Sequence, residues 1–184
     1  MIKNTEFIKK VLFLAGIMAV LLVVVYIRNS GIHPKNIASS ALVKTGVVEG
    51  SIDKSKIKTD AEWQKILTPE QFHILREQGT EIPYTGALEH EKRKGTYYSV
   101  GCDKPIFRSE AKFESGTGWP SFWQPIHKDA VVLKQDSTLG YVRTEVLDTC
   151  GNHLGHVFDD GPQPTGKRFC MNSIALRFLP DKGQ

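Results

Sequence analysis

Apolar and polar residues alternate with very different periods in different parts of this chain. Val11 to Ile27 is an unbroken apolar run, Val-Leu-Phe-Leu-Ala-Gly-Ile-Met-Ala-Val-Leu-Leu-Val-Val-Val-Tyr-Ile. As a helix it is about 25 Å long, the lower limit for crossing the hydrocarbon core of a bilayer. Lys3, Lys9 and Lys10 precede the run and Arg28 stands alone after it. The positive-inside bias therefore predicts residues 1–10 in the cytoplasm, residues 11–27 across the membrane and the rest of the chain exported. A cleaved signal peptide is the alternative. However, the run is long for one, Arg28-Asn29-Ser30-Gly31 offers no small-x-small site, and Ala38-Ser39-Ser40-Ala41 lies far downstream. The segment reads as a signal anchor.

Residues 28–58 mix Gly, Ser, Pro and Lys without sustained periodicity and read as a tether. Beyond them the signals sharpen. Asp60 is the expected cap of a short helix running to Leu67. Thr68-Pro69-Glu70-Gln71 predicts a second helix start, with a Thr cap, Pro at the first helical position and Gln where a capping box needs it. Phe72, Leu75 and Arg76 follow at helical spacing, and Gly79 is the expected stop. Four later runs predict strands: Gly95 to Gly101, Ala130 to Lys134, Leu139 to Val146 and Ser173 to Phe178. Each is β-branched or aromatic and bounded by Gly, Asp or Pro. No long helical period recurs, so residues 59–181 predict an α+β domain, mainly β, with short helices packed on antiparallel sheets.

Composition narrows the function. Apolar residues make up 40% and charged residues 24% of 184, enough for one folded domain with an appendage. The net charge of +4 is spread along the chain rather than blocked, which argues against a nucleic-acid partner. Three cysteines are an odd number; in an exported chain this suggests one bridge and one free thiol.

The candidate chemistry centres on Cys170 in Arg168-Phe169-Cys170-Met171-Asn172-Ser173. In a strand, Arg168, Cys170 and Asn172 share one face, while Phe169 and Met171 point the other way. A cation beside the thiol favours the thiolate, the form that acts as a nucleophile. A buried structural cysteine is the competing reading of the same residues. His153 and His156 lie in a tight segment that ends in Asp159-Asp160-Gly161-Pro162. Imidazole is the usual acid at neutral pH; one of the pair is expected to be structural, and His153 is assigned to bond a loop backbone. A His-x-x-His metal site is a further reading, but no other clustered ligands accompany it. Trp119, in Gly116-Thr117-Gly118-Trp119-Pro120, either joins the core or offers an open face to an S-methyl group.

Taken together, Gly116 to Phe122, His153 to Pro162 and Arg168 to Ser173 resemble the signature blocks of the B-type methionine sulfoxide reductases. Leu67 to Gln71, Arg143 to Val146 and Pro164-Thr165-Gly166 fit as well, and the resemblance runs from about Asp60 to Leu179. It implies two antiparallel sheets in a β-tent, or Mss4-like, arrangement with short N-terminal helices. It also implies reduction of the R epimer of methionine sulfoxide, free or in oxidised proteins, through a sulfenic acid on Cys170. By matching position, His156 is the proton donor; Asn172, Arg168, His153 and Asp160 orient or polarise; and Trp119 receives the methyl group. With the anchor, this predicts an exported oxidoreductase repairing envelope proteins under oxidative stress. A non-catalytic β-tent binding module is the alternative.

Two departures from the family pattern matter. Many members hold structural zinc with two Cys-x-x-Cys pairs, but here the corresponding stretches are Ser99-Val100-Gly101-Cys102 and Leu147-Asp148-Thr149-Cys150. One thiol of each pair is missing, so no metal or other cofactor is expected. The resemblance implies that Cys102 and Cys150 meet and form a disulfide in an oxidising compartment; two free thiols are the alternative. Thr117 stands where zinc-free members carry a resolving cysteine. Regeneration then needs an external thiol, such as a thioredoxin-like partner, unless Cys102 or Cys150 resolves Cys170.

Overall fold

The computed structural model of the protein describes residues 50–183. The predicted span at 11–27 and the tether up to residue 49 lie outside the described residues. Among the described residues, no helix is long and apolar enough to cross a membrane.

Two short helices lead into the sheets. Helix α1 spans Asp60–Trp63 and is capped one residue earlier than expected. The Thr59 hydroxyl accepts the Glu62 N–H, and the Glu62 carboxylate accepts the Thr59 N–H at 2.8 Å. A Thr59 cap places Glu62 at the third helical position, where its carboxylate can return the bond, whereas an Asp60 cap would place Trp63 there, so Thr59 outcompetes Asp60. The helix also stops at Trp63, with turns rather than helix continuing to Leu67. Helix α2 spans Pro69–Glu77, with the Thr68 cap and Gln71 box that its sequence predicts. It is stopped by Gln78, which takes the left-handed conformation. Gly79 follows, and a β-carbon there would press on the His73 ring. Trp63, Leu67, Ile74 and Leu75 are the buried side chains of this segment, and all join the core.

All strand pairings are antiparallel. Strands β1 (Gly95–Ser99), β2 (Pro105–Arg108) and β9 (Leu176–Pro180) form a three-stranded sheet in the order β2-β1-β9. Strands β3 (Lys112–Phe113), β4 (Ser121–Phe122), β5 (Val132–Asp136), β6 (Arg143–Leu147), β7 (His153–Phe158) and β8 (Arg168–Met171) form the second, in the order β3-β4-β8-β7-β6-β5. The domain is mainly β with two antiparallel sheets and few helices, as expected. Aromatic rings join the sheets: Phe107 stacks on Phe122 at 4.3 Å, and Tyr97 meets Phe122 edge-on at 4.8 Å. Offset and edge contacts of this kind add to the area that the rings bury.

Several expected strands shift. Of Leu139 to Val146, only the part from Arg143 pairs; Leu139, Tyr141 and Val142 are exposed at the β5–β6 hairpin tip. Ser173–Ala175 is a 3₁₀ turn, and β9 begins at Leu176. Strand β7 falls in a sequence read only as a tight polar segment. Its imidazoles are buried against carboxylates from β6, the neighbouring strand, and β5, one strand further, a pairing that no local pattern reveals. The end of the expected tether is tied down as well: the Gly50 N–H donates to the Val131 carbonyl at 2.9 Å and the Asp53 N–H to Thr149 at 2.8 Å.

Cys102, just after β1, and Cys150, in the β6–β7 turn, are joined by a disulfide with Cα atoms 5.7 Å apart. It links one sheet to the other across a sequence separation of 48. Closing a loop of that length disfavours the unfolded chain by about 4 kcal/mol in the chain-entropy account. Cys150→Ser, or reduction of the bridge, should therefore lower stability by about 2–4 kcal/mol, read as a fall in the urea midpoint. An unchanged midpoint would contradict a stapling role.

Candidate active site

The β7–β8 ladder builds the site. His156 lies directly opposite Cys170, and Ser121 of β4 lies opposite Cys170 on the other side. Opposed residues on antiparallel strands project to the same face, so the imidazole and the thiol share one surface. Gly155 is what lets the strands close here. A β-carbon on it would run into the Cys170 carbonyl and stand 3.0 Å from the Met171 Cα. Phe169 and Met171 are buried in the core while Cys170 stays half-buried, as strand alternation predicts.

A cavity of about 140 Å³ opens over this surface. It is lined by Thr80, Trp119, Arg143, His156, Cys170 and Asn172, among others. Trp119 is half-buried, and its indole N–H donates to the Glu81 carbonyl at 3.1 Å. Asn172 is immobilised at both ends of its amide: Nδ2 donates to the Leu154 carbonyl at 3.1 Å, and Oδ1 accepts the Glu81 N–H at 3.0 Å.

Electrostatics set the resting protonation states. Burial pushes the Cys170 thiol above its ordinary range. The Thr117 hydroxyl, 3.8 Å from Sγ, together with the Arg168 charge and Ser121, opposes this without overcoming it. Arg168 thus acts on the thiol in the expected direction, yet the resting state is a thiol. His156 is pushed below its ordinary range by burial, and Arg143 and His153 add to the shift; the hydrogen bond to Asp136 opposes it. The imidazole is therefore mainly neutral at pH 7. Its Nε2 lies 2.9 Å from Asp136 Oδ2. Asp136 is held well below the usual carboxylate range, first by the N–H and hydroxyl of Thr138 and then by His156. As an ionised acceptor it fixes the His156 proton on Nε2 and leaves Nδ1 free to accept. Arg143 Nη2 donates to the same Asp136 oxygen at 2.6 Å.

Not every expected residue reaches the cavity. Asp160 is exposed and accepts both arms of the Arg168 fork at 2.8 Å, so it can act only through Arg168. His153 is fully buried, with its ring centroid 5.3 Å from that of His156. It bonds no loop backbone; its partner is the Glu145 carboxylate on β6, 2.8 Å away. Sequence reasoning missed Asp136, Arg143 as a cavity residue, Thr80 and Glu81. Asp136 had a signal, since Asp-Ser-Thr is a side-chain-capped turn and Asp136 faces Arg143 across the hairpin.

The residues at the other end of β6 and β7 do not fit a four-thiolate zinc site. Cys102 and Cys150 are bonded to each other. Ser99, where one pair would begin, donates its hydroxyl to Asp148 Oδ2 at 2.5 Å. The other Asp148 oxygen accepts the backbone N–H groups of Cys150 and Asn152, each at 2.9 Å. Those oxygens serve the turn rather than a cation.

Two titrations check these states. Arg168→Ala should move the pH profile of Cys170 alkylation further up, because Arg168 favours the thiolate; a downward move would contradict the assignment. Asp136→Asn should lower the His156 pKa below its already depressed value, seen by imidazole NMR, because the carboxylate favours the charged ring. A rise would contradict the coupling.

Comparison with known proteins agrees with this arrangement. Residues 67–180 match the SelR domain family. A protein of Methanosarcina barkeri named peptide methionine sulfoxide reductase MsrB is 53% identical over 130 residues, covering 70% of this chain and 92% of that protein. Proteins of the same name from Leptospira interrogans and Agrobacterium fabrum are 57% identical over 123 residues and 52% identical over 124 residues. They align with 66% and 67% of this chain, and with 93% and 92% of their own lengths. With a free cysteine, an imidazole and an indole converging on one cavity inside the matched segment, this chain belongs to the SelR-domain family of oxidoreductases, the MsrB methionine sulfoxide reductases.

Proposed function

We propose that the domain reduces the R epimer of methionine sulfoxide, in proteins or free, by way of a sulfenic acid on Cys170. The observation that carries this reading is the cross-strand pair His156–Cys170 facing Trp119 in one cavity. The Cys170 proton passes to the free nitrogen of His156, and the thiolate attacks the sulfoxide sulfur. The resulting imidazolium returns that proton to the sulfoxide oxygen. The oxygen ends on Cys170 as S–OH, methionine leaves, and two electrons have passed from cysteine sulfur to substrate sulfur. Trp119 takes the S-methyl group against its ring.

Regeneration requires two further thiol equivalents. The first attacks the sulfenic acid, releasing water and forming a mixed disulfide; the second releases the Cys170 thiol. Cys102 and Cys150 are poorly sited for this. Cys150 precedes His153 in the β6–β7 turn, while Cys170 pairs with His156 further along β7. At about 3.3 Å per residue the two lie roughly 10 Å or more apart along the strand. An external dithiol of thioredoxin type therefore suits the site, with no metal or other cofactor in the cycle.

Exposed apolar residues close in sequence to the cavity lining favour a polypeptide substrate: Ile82 and Tyr84 follow Thr80, and Leu139, Tyr141 and Val142 precede Arg143. The apolar run at 11–27 with its preceding lysines, and a disulfide that suits an oxidising compartment, support a membrane-anchored, exported enzyme that repairs envelope proteins.

The test follows dithiothreitol-driven reduction of each sulfoxide epimer. R-selective turnover should disappear in Cys170→Ser and persist in the Cys102→Ser/Cys150→Ser double variant. Loss of turnover in the folded double variant would make one of those thiols the resolver. No turnover of either epimer by reduced wild type would favour a binding module.

A further inference from the structure

We propose that Glu81 is the positioning residue that sets the spacing between the Trp119 wall and the Cys170 nucleophile. The proposal rests on reading the cavity as the sulfoxide site, and assigns the geometry of that site to a residue outside the strands that build it.

Glu81 lies in the loop between α2 and β1, next to Thr80, which lines the cavity. Four of its hydrogen bonds end on segments flanking the reacting groups. Its carbonyl accepts the Trp119 indole N–H at 3.1 Å. Its N–H donates to the Asn172 side-chain oxygen at 3.0 Å, two residues beyond Cys170. Its carboxylate accepts the backbone N–H of Ser173 at 2.5 Å and of Ile174 at 3.2 Å. Trp119 precedes β4 and Asn172 follows β8. The β4–β8 ladder pairs only Ser121 with Cys170 and Phe122 with Phe169. The Met171 N–H to Pro120 carbonyl bond extends that tie by one residue, and Leu154 holds the Nδ2 end of Asn172; the indole ring lies beyond both, and Glu81 joins it to the Oδ1 end of Asn172.

The carboxylate is kept here against a cost. Burial pushes its pKa up, and the Ser173 and Ile174 N–H groups with the Ser173 hydroxyl oppose the rise without cancelling it. A loop anchor alone needs no ionisable group in a half-buried position. Two converging N–H donors, one for each oxygen, give a clamp that a single-acceptor side chain cannot reproduce. Gly86 packs against both partners of this clamp, since a β-carbon there would run into the Ser173 hydroxyl and stand 2.7 Å from Glu81 Oε1. With the carboxylate removed, the 80–82 backbone is free to move, and the acceptor of the Trp119 indole moves with it. The thiol and its immediate strand partners stay where the β7–β8 ladder puts them.

The experiment separates positioning from chemistry and from stability. It uses the full chain in detergent micelles and compares wild type, Glu81→Ala, Glu81→Gln and, as a stability control, Arg108→Ala. Arg108 forms a bidentate pair with Asp181 beside the smaller sheet, away from the cavity. For Glu81→Ala, kcat/KM for the sulfoxide should fall by about 10- to 100-fold, the scale of a misplaced reactant. Alkylation of Cys170 by iodoacetamide should stay within about twofold of wild type, because the thiol itself is unmoved. The Trp119 indole N–H should lose protection from hydrogen exchange. Glu81→Gln, which keeps one acceptor, should fall between the two, and Arg108→Ala should lose thermal stability without losing turnover.

Wild-type kcat/KM or unchanged indole protection in Glu81→Ala would overturn the proposal, and so would an equal fall in turnover in Arg108→Ala. If Glu81→Ala does not fold, Glu81→Gln carries the same readouts. If wild type reduces neither epimer, the sulfoxide reading fails on its own, while indole exchange still decides whether Glu81 holds Trp119.

Discussion

The site depends on how closely β7 approaches β8. The contact is possible because Gly155 has no side chain where the Cys170 carbonyl passes. Given that approach, antiparallel register sets the thiol beside the imidazole and turns Phe169 and Met171 into the core. Cys170 is thus held by backbone hydrogen bonds and by hydrophobic burial of its sequence neighbours. Placing a reactive group on a rigid strand locates it more accurately than a loop would.

Burial carries an electrostatic cost, and the polar partners of the site offset it in layers. His156 leans on Asp136, Asp136 on Arg143 and Thr138, and the deeper His153 on Glu145. His156, His153 and Arg143 meet carboxylates at 2.9, 2.8 and 2.6 Å, which offsets part of the cost of burying them. Burial nevertheless wins at Cys170 and His156, the two groups proposed to exchange a proton. The thiol is pushed up and the imidazole down, so the resting site holds a neutral pair.

Much of this was legible in the sequence, and the exceptions share a cause. Thr68, Pro69 and Gln71 announced α2 because capping is local chemistry. The alternation around Cys170 gave its strand and its faces. Asp136, Arg143 and Glu81 were not recognised as site residues because their roles arise from partners 20, 7 and 91 residues away. The partner of His153 was misassigned for the same reason: a carboxylate on the adjacent strand is invisible to a reading along the chain. The exposed hairpin at Leu139 to Val142 looked like strand because β-branched and aromatic residues mark strands, whatever keeps them at the surface here.

The central claim is that Cys170 alone passes electrons to the substrate sulfur and retains the oxygen. A single-turnover experiment without reductant tests it most directly. Mixing the enzyme with R-methionine sulfoxide should release one methionine per chain and leave a dimedone-reactive sulfenic acid on Cys170, with the Cys102–Cys150 bridge intact by peptide mass mapping. Methionine release accompanied by a disulfide between Cys170 and either of the other cysteines would contradict the account, as would release from the Cys170→Ser variant.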